Sequence, residues 1–207
     1  MIIPAPAQPC VLPLFYLAPW PYYRYLFSGE RVVIDTHEHY VRQSYRTRCE
    51  ILSPQGRLDL VIPVHGRRGG TVQDTRIDYS ENWQQKHWRS LVNFYRTSAF
   101  FEFYEPYFQR LYSRRVELLS EWSLELLDLS CKLLKQPTAY ELSATYIEPG
   151  TGITDLRGYF NPQNREEWNR KEQVYFQVYQ DKAGFNPGIS IADMLFNLGP
   201  QAIKFIK

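Results

Sequence analysis

The sequence predicts a mixed α/β (α+β) protein, one domain over residues 1–207, with a mixed sheet, a hairpin and packed helices. Three observations carry this. Arg31 to Asp35, with Val-Val-Ile at its centre, reads as a buried strand. Two short alternating runs flank Ser53-Pro54-Gln55-Gly56, which is turn chemistry between two strands. The middle of the chain then carries long apolar stripes at helical spacing.

Taken in order, Val11 to Leu17 is apolar and predicts a first strand, stopped by Pro19 and Pro21. Tyr22 to Ser28 has room for one or two helical turns before Gly29. After the Arg31–Asp35 strand, Arg48–Leu52 and Leu58–Val64 form the predicted hairpin. Gly66 to Gly70 is a basic loop, and Thr75–Tyr79 is a further short strand. Asp78 with Glu81 reads as a helix cap with an acidic partner, opening a helix to about Arg96. Trp83, His87, Leu91 and Phe94 share one face of it. A second helix covers Phe101–Tyr112. A third runs from Val116 to Leu134, along a stripe of Leu119, Trp122, Leu126, Leu129 and Leu133, and ends before Pro137. Ala139–Ile147 and Val174–Tyr179 read as strands. Ser190 caps a helix through Leu198, then Gly199-Pro200 precedes one last short helix.

Composition narrows the function classes. Hydrophobic residues make up 44% and charged residues 22%, which is ordinary globular usage. A net charge of +2 gives no electrostatic footprint for nucleic acid. No apolar run reaches the length of a membrane span, and the N-terminus lacks a basic leader, so a cytoplasmic location is expected. Three cysteines without paired spacing predict free thiols in a reducing compartment. The unusual feature is aromatic content, with sixteen Tyr, twelve Phe and five Trp. Most of these are core, and the rest suit the boundary between core and cleft.

The chemistry-bearing stretch is His37 to Cys49. Asp35, His37 and His39 fall on one face of an extended strand, a first-row metal constellation, but no distant Cys or His accompanies them and no metal is expected. Arg42, Gln43, Tyr45, Arg46 and Arg48 concentrate planar donors suited to carboxylate or phosphate. The competing reading pairs these guanidiniums with Glu38, Glu50 or Asp59 as surface charge. Cys49 beside Arg48 is a possible nucleophile, though a strand cysteine is usually inert core. His87 on an apolar helix face reads from pattern alone as a core histidine. Neither a P-loop nor a GxGxxG turn is present, so no cofactor is named by motif. No motif names an oligomeric state.

Several segments together resemble the WbqC-like family, in particular its shorter branch. They are Tyr16-Leu17-Ala18-Pro19 with Tyr22-Tyr23, His37-Glu38-x-Tyr40-x-Arg42-Gln43-Ser44-Tyr45-Arg46-x-Arg48-Cys49, and Ile62-Pro63-Val64. Trp83-x-x-x-His87-Trp88, then Tyr95, Phe100-Phe101 and Tyr104, resembles the family's central helix pair. The closing signature is Ser190-Ile191-x-Asp193-x-Leu195-Phe196-Asn197-x-Gly199-Pro200. The chain departs from longer members at Pro13-Leu14, where they carry a His-Gln pair.

The resemblance implies a role in bacterial surface-polysaccharide (O-antigen) or modified-sugar biosynthesis. It moves His87, His37 and Glu38 into a catalytic set, with Arg46 and Arg48 holding an anionic substrate. Tyr45, Gln43 and Trp83 join the substrate-binding group. Asp193 and Asn197, one helical turn apart, are placed at the same cleft or as a loop cap. Acyl or aminoacyl transfer to a sugar amine is the expected chemistry, with a sugar or an anionic acyl donor as small-molecule partner. The rival from another class is a non-catalytic sugar-nucleotide or protein-partner binding module.

Overall fold

The computed structural model of the protein describes residues 10–65, 70–138, 140–150, 152–168 and 174–207. In chain order the first half runs β1 (Cys10–Pro13), α1 (Tyr22–Leu26), β2 (Val32–Asp35), β3 (Arg48–Ser53), β4 (Gly56–Val61), β5 (Val64–His65) and β6 (Arg76–Ile77). The second half runs α2 (Trp83–Tyr95), α3 (Phe101–Tyr112), α4 (Leu119–Leu133), β7 (Glu141–Leu142), β8 (Thr154–Asp155), α5 (Arg165–Trp168), α6 (Gln180–Ala183), α7 (Ile191–Leu198) and α8 (Ile203–Ile206). Most of the predicted residues at 66–70 lie outside the described residues.

Strand content is divided between one parallel sheet and two antiparallel ladders. The parallel sheet has the order β7-β2-β1-β8. Its two central strands are buried throughout and rich in β-branched and small apolar residues, as strands covered on both faces must be. The first strand is shorter than expected because Pro13 offers no N–H to extend the ladder. Four residues on, Leu17 adopts φ +44°, which turns the chain away. From β1 the chain steps outward to β2 and β7, then returns to the other side of β1 with β8. The strand order therefore reverses between β1 and β8. In open parallel sheets, the carboxyl ends at such a reversal are where ligand-facing loops gather.

The hairpin β3–β4 has the register the turn predicts, with Ser53 opposite Gly56 and Arg48 opposite Val61. Gly56 adopts φ +108°, which any L side chain would resist. Cys49, Ile51 and Leu60 face the core. Glu50, Arg57 and Asp59 occupy the opposite face, with Glu50 covered by Arg165 of α5.

The three long helices form with the predicted faces inward. Leu119, Trp122 and Leu126 of α4 are almost completely buried. Helix α2 starts later than its predicted cap: Asp78 instead accepts the Ser80 N–H at 2.8 Å in a local turn. The stretch 174–179, predicted as a strand, pairs with no other strand among the described residues. Its alternation is still real, since Tyr175 and Gln177 point inward while Val174 and Phe176 are exposed. The strand predicted over 139–147 reduces to β7. Ser190 caps α7 as expected, accepting the Ala192 N–H at 3.2 Å. At the other end Gly199 holds φ +57°, and a Cβ there would overlap the Phe100 ring.

Candidate functional site

The carboxyl ends of β1, β2 and β8 carry a buried ionic cluster. Asp35, the last residue of β2, has no exposed surface. It accepts from the Arg157 Nη1 at 2.6 Å, from the Ser143 hydroxyl at 2.9 Å and from the His37 N–H at 2.9 Å. Arg157 follows β8 and is also held in a two-pronged pair by Asp155, at 2.9 and 2.6 Å. These carboxylates, with the stacked Tyr146 ring 4.9 Å away, push the guanidinium further toward its charged form. The three residues that shared a face in the sequence take different partners, although Asp35 and His37 both contact the Ser143 hydroxyl. Asp35 is committed to Arg157, His37 Nδ1 lies 3.2 Å from the Ser143 hydroxyl, and the His39 ring packs beside Tyr146. Among the described residues no group of His, Cys, Asp and Glu is arranged to hold a metal.

Glu38 and Arg46 meet directly. Arg46 donates from Nε to one carboxylate oxygen at 2.9 Å and from Nη2 to the other at 2.5 Å, both residues being 4% exposed. Burial raises the Glu38 carboxyl, and the Arg46 charge pulls it back. The guanidinium also lies 5.6 Å from the centre of the Phe15 ring, in the loop that follows β1. Both members of this pair are therefore spent on each other, not open to a ligand.

The next residue of that loop serves a different cluster. The Tyr16 hydroxyl lies 3.0 Å from His87 Nδ1 and 2.5 Å from the Tyr112 hydroxyl. In the tautomer protonated at Nε2, Nδ1 accepts from Tyr16, which in turn accepts from Tyr112. Burial lowers the His87 pKa to about 4, so the ring is neutral at physiological pH. Trp83 packs edge-on to His87 at 5.1 Å and to Trp122 at 5.3 Å. The Cys49 thiol adjoins Tyr16 and is pushed up by complete burial, which removes it as a thiolate nucleophile.

Arg48 and Gln43 face outward instead. They line an open pocket of about 270 Å³ together with Arg42, Tyr40, Thr47 and Val61. Arg48 pairs with Asp59 at 3.2 Å through one guanidinium arm, while its Nε is buried without a hydrogen-bond partner among the described residues. Gln43 holds φ +54°, a left-handed conformation that costs a side-chain-bearing residue about 1 kcal/mol. Tyr45, two residues on in the sequence, turns inward and donates to Glu50 at 3.4 Å.

Asp193 lies away from all of these. Its buried carboxylate accepts from the Tyr95 and Tyr175 hydroxyls at 2.8 and 2.6 Å and from the Gln177 amide at 3.1 Å. Burial raises it to about 6, against the opposing hydrogen bonds. Asn197 donates back to the Asp193 carbonyl at 2.8 Å, within its own helix. Asp193 thereby ties α7 to segment 174–177.

The sequence-predicted residues thus fall into six places: the Glu38–Arg46 pair, the cluster of His87 and Trp83, the Arg48–Gln43 pocket, the network of Asp193 and Asn197, His37 beside Ser143, and Tyr45 beside Glu50. Tyr16, Tyr112 and Arg157 are the central residues that sequence reasoning missed. Tyr16 had a signal, since it opens the Tyr16-Leu17-Ala18-Pro19 segment. Tyr112 and Arg157 had none, because each reaches its partner only through the tertiary fold.

An α+β chain with a parallel sheet whose polar residues gather at the strand ends is the class defined by this geometry. The chain belongs to the WbqC-like protein family, whose model matches residues 15–205. An uncharacterized protein, Rv1507c of Mycobacterium tuberculosis (strain H37Rv), is 25% identical over 218 aligned residues, covering 91% of this chain and 93% of that one. No solved structure matches the chain. Among the described residues no helix is long and apolar enough to cross a membrane.

Proposed function

We propose that this protein acts in surface-polysaccharide or modified-sugar biosynthesis, and that it holds an anionic substrate in the pocket lined by Arg42, Gln43 and Arg48. The observation that supports this is a charge imbalance. Two guanidiniums and a side-chain amide border the pocket, and Arg48 spends one arm on Asp59. A carboxylate or phosphate would find planar donors already positioned there. Acyl or aminoacyl transfer to a sugar amine is the reaction assigned to this arrangement, with the anionic group on the donor.

Within that reading Glu38 and Arg46 position the loop around the pocket, because their pair fixes residues on both sides of Arg42 and Gln43. Val61 lines the pocket, and its backbone also acts on the His87 imidazole. Neutral His87 accepts at Nδ1 from Tyr16, which accepts from Tyr112, so a proton given up at the Tyr112 end can pass along the two hydroxyls to the imidazole.

One observation favours the second reading, a non-catalytic sugar-nucleotide module. His87 Nδ1 already has a protein partner, and the imidazole is not among the residues lining the pocket. Incubation with candidate sugar amines and acyl donors, followed by mass spectrometry, decides between the two. Transfer predicts a new amide product that Arg48→Ala diminishes. Saturable calorimetric binding of a sugar nucleotide, with no product from any donor, would establish the binding module instead.

A further inference from the structure

A second concavity, of about 360 Å³, lies between α2 and α3. Its chemistry differs from that of the first pocket. The lining is amide and aromatic: Gln84, Gln85, Trp88, Gln109 and Tyr112 form most of it, and no carboxylate takes part among the described residues. The cation at its rim, Arg115, is drawn over the Tyr79 ring at 5.0 Å.

The amides are pre-oriented. Gln84 donates its NH₂ to the Arg114 carbonyl at 2.5 Å, which leaves its carbonyl oxygen as an acceptor. Gln85 accepts from the Asn82 amide at 2.9 Å, which leaves its NH₂ as a donor. A fixed acceptor next to a fixed donor is complementary to a hydroxyl group, which needs one of each. Trp88 is half-buried, stacked against Phe101 and Tyr112 at 6.2 and 6.0 Å, so its indole is a rigid apolar plate. The wall also contains Tyr112, whose hydroxyl contacts Tyr16 and through it His87. A neutral ring bearing several hydroxyls on an apolar face satisfies all of these groups. Among the lining residues an anion would meet a single cation, Arg115, at the rim and held over the Tyr79 ring, and a hydrocarbon would strand the amides.

We infer that the α2–α3 groove is a sugar subsite, taking one neutral pyranose ring against Trp88 with its hydroxyls on Gln84, Gln85 and Gln109. As the acceptor site, the assignment rests on the transfer reading above; as a sugar-binding site, it does not. The hydroxyl or amine nearest Tyr112 then lies at the end of the chain leading to His87.

Titration of ¹⁵N-labelled protein with N-acetylglucosamine or N-acetylgalactosamine, followed at the Trp88 indole N–H, tests this. A saturable shift is expected, weakened about tenfold by Gln109→Ala and by Gln85→Ala, each the loss of about one hydrogen bond. Both side chains are exposed, so the variants keep the fold. Arg48→Ala, in the other pocket, should leave the shift unchanged. No saturable shift with either sugar, or a shift insensitive to both Gln variants, overturns the subsite. Sugar binding with no product from any donor leaves the subsite standing and removes the transfer reading. Product formed at the wild-type rate by a Gln85→Ala/Gln109→Ala protein does the reverse.

Discussion

Arg157 reaches across the end of β1 to Asp35 at 2.6 Å, joining strands β8 and β2, which flank β1 but do not touch each other. The bond closes the sheet at the point where its strand order reverses. It also supplies a charged partner to a carboxylate with no solvent exposure, whose other partners, the Ser143 hydroxyl and the His37 N–H, are neutral.

Removing the cation is therefore expected to cost more than removing the anion. Arg157→Ala leaves Asp35 buried and charged, a loss of about 3–5 kcal/mol. Asp35→Asn leaves Arg157 still paired with Asp155 and should cost clearly less. Urea denaturation of the two variants gives the order directly. Equal losses would mean that the pair does not hold the strand ends.

His87 and Asp193 set opposite pH dependences within one protein. His87 has its folded pKa lowered from 6.5 to about 4. The unfolded chain therefore binds the extra proton first, and His87 costs stability as pH falls through that window, up to about 3 kcal/mol. Asp193 has its folded pKa raised from 3.8 to about 6. Its contribution is present below its unfolded value and is lost as pH rises through about 6, by a similar amount of about 3 kcal/mol. The two slopes offset in the wild type. His87→Gln should make the protein gain stability as pH falls from about 6.5 to about 4, and Asp193→Asn should make it lose stability more steeply than wild type. Unfolding curves at several pH values check both signs, and profiles parallel to wild type would show that neither group titrates as its burial requires.

These residues also show what could be read from one dimension. The hairpin was legible because its turn, its register and its inward faces are all local properties of residues 48–61. Helix α3 matches its predicted limits because Phe101, Tyr104 and Phe108 repeat on one buried face. In 174–177 the period-two pattern was correct, but its cause is the Asp193 network and not a neighbouring strand. The polar site was the least legible. Asp35 looked like a metal ligand because its real partner, Arg157, lies 122 residues away behind a two-residue strand too short to announce itself. The Arg-rich stretch was visible, but not the division that sends Arg46 inward to Glu38 and Arg48 outward to the pocket. Alternation would place both on one face, yet Arg46 precedes β3 and only Arg48 is governed by its pleat.

Gln43 offers a test of strain at the pocket. Its φ of +54° is one that glycine adopts freely. Gln43→Gly should leave stability unchanged or raise it by as much as about 1 kcal/mol, the relieved strain being offset in part by a more flexible unfolded chain. The same change removes an amide from the pocket and should weaken binding of an anionic probe. Stability and affinity moving in opposite directions is the expected result in paired thermal and calorimetric measurements. A large loss of stability would mean that the side chain, exposed as it is, holds the loop.

Arg48 and Arg42 differ in how they can bind, and salt separates them. Arg48 is three-quarters buried and fixed by Asp59, so its contact with an anion is weakly screened. Arg42 is exposed and acts through a longer-range, screened attraction. With inorganic pyrophosphate as the probe, Arg48→Ala should reduce affinity at least tenfold at both low and high ionic strength. Arg42→Ala should reduce it mainly at low salt. Arg48→Lys should recover little, because an ammonium cannot pair with Asp59 and an anion in the same plane. If Arg48→Lys binds the probe as well as the wild type does, the pocket supplies only charge, and the planar recognition argued here is wrong.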